Sequence, residues 1–125
     1  MNAPAVRTVV RVDFGRETAR GPTSSDTGRV PRVTRLLALA HRIDGMVRDA
    51  EIADYAEAAR RLNLTRARVT QVMNLLLLAP EIQESILDMP LVTYGRDSVT
   101  ERQLRPIAAE LDWNKQKEMW RQVNV

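Results

Sequence analysis

The 125 residues amount to one domain's worth of chain with room for a tail. Hydrophobic residues make up 44% but aromatics only 4%, so a core has to be built from Leu, Ile, Val, Ala and Met. The absence of Cys, with His41 the single imidazole, excludes disulfides, thiolate metal sites and His clusters. The longest apolar run, Leu75 to Pro80, is far below the ~20 residues of a membrane span. Met1 to Thr8 lacks the apolar stretch of a secretory signal, so a cytoplasmic, soluble protein is expected. No metal or cofactor is expected, and no enzymatic activity.

The net charge of +3 is unevenly placed. Arg29 to Ala79 holds nine Arg against five acids, whereas Pro80 to Val125 holds six basic residues against eight acids. The cations are Arg except for Lys115 and Lys117, and Arg offers a planar fork suited to phosphates and guanine edges.

Val6 to Phe14 is rich in β-branched residues and roughly alternates, so it reads as a short strand, either a docking segment or part of a tail. Gly15 to Arg29 is polar and aperiodic, a flexible linker. The domain boundary is therefore set at residues 30 and 31, with an all-α bundle of five or six helices from Pro31 onward.

Pro31 suits the first turn of a helix in which Val33, Leu36, Leu37, Ala40, Ile43 and Val47 form one apolar face, running to about Arg48. Asp54, three residues before Glu57, predicts a capping box opening a second helix. A third follows Thr65. Pro80 opens a short fourth helix with Ile82, Ile86 and Leu87, and Leu91 to Val99 reads as a loop. Thr100 and Gln103 form another capping box before a fifth helix that Pro106 should kink or shorten. Asp112 caps a last helix carrying Trp113 and Trp120 one heptad apart, both expected in the domain's own core, with a dimer or partner contact as the alternative. Leu75 and Leu78 point off the third helix's buried stripe, and the helix after Pro80 is expected to cover them, with a dimer interface as the alternative.

Asp54 to Leu78 has the four features that a helix-turn-helix requires. Ala58 and Ala59 form a small crossing pair, and Asn63, flanked by Leu62 and Leu64, tolerates a left-handed turn. Thr65 is an N-cap, and Val69, Val72, Met73 and Leu76 form the buried stripe of the second helix. At about 100° per residue the opposite face carries Ala67, Gln71 and Asn74, with Arg66, Thr70 and Arg68 beside them. These side chains suit base edges in a major groove: amides for adenine, Arg for guanine, methyls for thymine. No acid occurs between Ala58 and Ala79. Tyr55, Arg60, Arg61, Thr65, Arg35 and Arg42 are the expected phosphate contacts, with Arg102 and Arg105 weaker candidates. The alternative for the cations is an ordinary solvated surface. Glu81, Glu84 and Asp88 form an acidic stripe without catalytic neighbours.

Tyr55 to Ile86, YAEAARRLNLTRARVTQVMNLLLLAPEIQESI, resembles the central helix-turn-helix domain of the ParB/KorB partition proteins. The order of the leucine cluster Leu75 to Leu78 followed by Ala79-Pro80-Glu81-Ile82-Gln83 is the specific part of the match. The resemblance covers roughly Val33 to Leu111, and the whole chain is similar to small stand-alone proteins encoded beside site-specific recombinases on mobile elements. The Gly-Glu-Arg-Arg box of the family's CTP-binding domain is missing, so the resemblance implies the DNA-reading module alone. It implies double-stranded DNA as partner, with a recombinase and a second copy of the chain as further candidates, and a role in transcription regulation or DNA recombination. The competing reading is a protein-interaction adaptor that docks on a recombinase or replication protein.

Overall fold

The computed structural model describes residues 28–123. The expected strand at Val6 to Phe14 and most of the expected linker lie outside them. The described chain is helical: α1 (Arg32–Arg48), α2 (Tyr55–Leu62), α3 (Arg66–Met73), a 3-10 turn (Asn74–Leu77), α4 (Pro80–Leu87), α5 (Glu101–Ala109) and α6 (Trp113–Val123). No strand forms among the described residues, and the one antiparallel bridge joins Arg29 to Val92.

α1 is the central element. Val33, Leu36, Leu37, Leu39, Ala40 and Ile43 are buried along it, and it packs against α3, α4 and the 3-10 turn. Leu37 and Ile43 are fully enclosed, each contributing about 1.5–3 kcal/mol of burial. α1 ends in a Schellman closure. Ala50 takes φ 61 while Glu51 N–H donates to Met46 O and Ala50 N–H to Val47 O. An alanine in this left-handed position is strained, and no Gly or Asn stands there to announce the turn.

α2 closes in the same way. Asn63 sits at φ 60, Leu64 N–H donates to Ala59 O and Asn63 N–H to Arg60 O. At its other end Asp54 Oδ1 accepts from Glu57 N–H at 2.9 Å. The reciprocal bond runs to the preceding residue, Ala53 N–H donating to Glu57 Oε1 at 2.7 Å. Thr100 and Gln103 make the full capping box of α5. Pro106 sits within α5, a helix that ends three residues later.

Leu75 and Leu78 are buried as expected. The turn carrying Leu75 packs on α5 (Glu101–Ala109) as well as on α1, so α5 contributes to the cover alongside the helix after Pro80, whose Gln83 bonds Leu76 O and Leu78 O. The two tryptophans part company: Trp120 is buried, while Trp113 is half-exposed. With α6 only three turns long, a heptad spacing does not keep both rings under the same neighbours.

Arg29 belongs with the bundle. It exchanges backbone hydrogen bonds with Val92, and its guanidinium pairs with Asp97, whose other oxygen accepts from Arg32 N–H at the start of α1. Gly28 (φ 88) makes the approach feasible, since a Cβ there would lie 2.6 Å from Val92 O. No described helix is long and apolar enough to cross a membrane.

Candidate nucleic-acid interface

α2 and α3 are eight-residue helices packed on each other. Ala58 and Ala59 are buried where they meet, Asn63 turns the chain, and Thr65 Oγ1 accepts from Arg68 N–H to start α3. Val69, Val72 and Met73 face the core. This leaves Arg66, Ala67, Thr70, Gln71 and Asn74 exposed on α3 and its continuation.

Arg68 differs from its neighbours. Its side chain is only 24% exposed and forks onto Glu101, the first residue of α5. Nη1 donates to Glu101 Oε2 at 2.6 Å and Nη2 to Oε1 at 3.0 Å. The second Nη1 hydrogen goes to Gln71 Oε1 at 3.1 Å. Because a guanidinium has no acceptor, this contact fixes which end of the Gln71 carboxamide faces inward. The Arg68 hydrogen bond, then its charge and those of Arg105 and Arg32, hold the Glu101 carboxyl below its ordinary value of 4.5 against the opposing effect of burial. Arg105 lies 3.6 Å from the same carboxylate. Gln71, Asn74, Leu77, Glu101, Arg105 and Ala108 line a groove of about 280 Å³ between α3, the 3-10 turn and α5.

Of the expected phosphate contacts, Tyr55, Arg60 and Thr65 are exposed in or beside α2 and the turn. Arg61 pairs with Glu57 at 2.9 Å. The bond from Ala53 N–H, followed by the Arg61 charge, lowers the Glu57 pKa, partly offset by desolvation. Arg35 and Arg42 stand on α1, Arg42 exposed and Arg35 half-buried. Arg66, Ala67, Thr70, Gln71 and Asn74 are thus exposed on one helix and its continuation, whereas Arg35 and Arg42 stand on another. Glu101 was missed as part of this surface: it lies 33 residues from Arg68 and reads locally as nothing more than the residue after an N-cap.

His41 Nε2 donates to Gln83 Oε1 at 2.8 Å, since the Gln83 amide group is turned to Leu76 O and Leu78 O. No group of three or more His, Cys, Asp or Glu residues among the described ones is placed to hold a metal ion. Comparison of the chain with protein-family models, curated proteins and solved structures found no match.

Proposed function

We propose that the chain binds double-stranded DNA sequence-specifically through α3, in the manner of a ParB/KorB-type helix-turn-helix, as a regulatory or accessory factor of a plasmid, phage or recombinase system. The observation that carries this reading is the exposed face of α3, where Arg66, Ala67, Thr70, Gln71 and Asn74 stand together and no acid occurs from Ala58 to Ala79. In such a docking α3 enters the major groove while α2 lies across the backbone, with Arg60 and Thr65 at phosphates.

The test is a fluorescence anisotropy titration with random-sequence duplex at about 50 and 200 mM salt, followed by selection of preferred sites. Neutralising several phosphates makes affinity fall by orders of magnitude between those concentrations. Absence of binding at the lower concentration overturns the proposal.

The second reading, an adaptor for a recombinase or replication protein, is favoured by exposed apolar side chains at Leu77, Leu111 and Trp113. They border α3's continuation and the α5–α6 corner, where Gln116 Nε2 joins Leu77 O and Glu110 O. Capture of such a partner by protein that binds no DNA would support it.

A further inference from the structure

Resting on the DNA-binding reading, we infer that Arg68 is no base reader but a positioning residue, held by Glu101, which makes Gln71 read its base as a hydrogen-bond donor. Three bonds carry this. Glu101 takes one hydrogen from each Nη nitrogen of Arg68, the bidentate geometry that a guanine O6/N7 edge would otherwise receive. The remaining Nη1 hydrogen occupies Gln71 Oε1. Gln71 is exposed, and its NH2 group donates to nothing among the described residues, so the free end of the carboxamide is the donating end.

The consequence is a specific preference. In the major groove guanine presents N7 and O6, adenine N7 and thymine O4 as acceptors, whereas cytosine presents only the N4 donor. A donor at Gln71 accepts either purine at the contacted position and rejects cytosine there. Glu101 also masks a cation close to the DNA-reading face, which lowers affinity for every duplex while sharpening this one contact.

The experiment compares folded wild type, Gln71→Ala, Arg68→Ala and Glu101→Ala on a selected site and its single-base variants, with circular dichroism as the check on folding. In the wild type, exchange of the two purines at the Gln71 position is tolerated within about three-fold, while cytosine there, or 7-deaza substitution of the purine, weakens binding about ten-fold. All three variants lose that discrimination at the same base pair. Their overall affinities separate: Glu101→Ala binds all duplexes more tightly, because the Arg68 charge is released, and Arg68→Ala does not. A loss of packing cannot raise affinity in one variant while removing the same preference in all. Glu101→Gln, which keeps the side-chain shape, serves in place of a Glu101→Ala protein that does not fold, with the same direction of change. Loss of discrimination at a different base pair in Arg68→Ala, or wild-type discrimination in the Glu101 variant, overturns the inference alone. A folded wild type that binds no duplex overturns the DNA-binding reading and this inference with it.

Discussion

Gln83 and Gln116, on different helices, divide between them the carbonyls that the chain leaves open after α3. Gln83 Nε2 donates to Leu76 O at 3.2 Å and Leu78 O at 2.9 Å. Gln116 Nε2 donates to Leu77 O at 3.1 Å and Glu110 O at 2.8 Å, while its Oε1 accepts from Ala79 N–H at 2.7 Å. The last carbonyls of a helix have no partner within it, and buried ones are costly to leave unpaired. Two side-chain amides let α3 tighten into a 3-10 turn and stop in the interior of the bundle. They also fix the C-terminal end of α3 to α4 and α6, so the exposed face is anchored at that end.

Gln116 is the more demanding of the two, being almost fully buried. Gln116→Leu keeps the apolar volume but strands the Ala79 N–H and two carbonyls. It should cost about 2–3 kcal/mol, at 1–3 kcal/mol per buried unpaired group with some water rescue. Gln83 is half-buried, and Gln83→Leu should cost about 1 kcal/mol. Urea unfolding measures both, and equal losses would show that burial does not decide the difference.

The sequence displayed those parts of the fold whose signals are local. Helical periodicity marks α1, Thr65 and Thr100 announce helix starts, and Asn63 announces the turn because its side chain tolerates the left-handed region. What stayed hidden depends on pairing between distant residues. Nothing near Gln116 shows that it will be buried, and nothing near Glu101 or Arg68 shows that they will meet. The same holds for Arg29, which looks like linker until Val92 and Asp97 lie beside it. The exposed residues of α3 were legible from angle alone. Angle alone also sets Arg68 beside them, and nothing local shows that it turns to Glu101.

Two left-handed residues of different chemistry give a paired prediction. Ala50 (φ 61) is exposed, and the left-handed region costs a Cβ-bearing residue about 1–2 kcal/mol. Ala50→Gly should therefore stabilise the protein by about 0.5–1 kcal/mol, after the greater entropy of Gly in the unfolded chain is deducted. Asn63→Ala at the corresponding position of α2 should destabilise by about 1 kcal/mol, whereas Asn63→Gly stays within a few tenths. Thermal unfolding reads all three. Destabilisation by Ala50→Gly would mean that strain is not the governing term there.

The Arg68–Glu101 pair has an acid signature. The folded-state carboxyl of Glu101 titrates below 4.5, held there first by the Arg68 hydrogen bond. The unfolded chain thus binds the extra proton first as pH falls. The stabilisation is complete above about 4.5 and disappears as pH drops through the depressed folded value. Wild type should exceed Glu101→Gln by about 1 kcal/mol at pH 7, a modest value for a charge-assisted pair with partial exposure. The gap should narrow progressively as pH falls below 4.5, as judged by urea midpoints. A gap that does not narrow as the acid range is entered would assign the loss to shape and not to charge.

Arg60 and Arg61 are adjacent in α2 but should act unequally on DNA. Arg61 is engaged with Glu57, so moving it to a phosphate requires breaking an ion pair and leaves a carboxylate facing the backbone. Arg60 forms no ion pair among the described residues and is exposed, so its full charge is available to release counterions. Arg60→Ala should weaken binding to all duplexes about equally and reduce the log–log salt slope by about 1. Arg61→Ala should reduce the slope by less, and Glu57→Gln should steepen it by freeing Arg61. Anisotropy titrations across a salt series give all three slopes on one axis. If Arg60→Ala instead changed which sequences are preferred, α2 rather than α3 would be the helix that meets the bases.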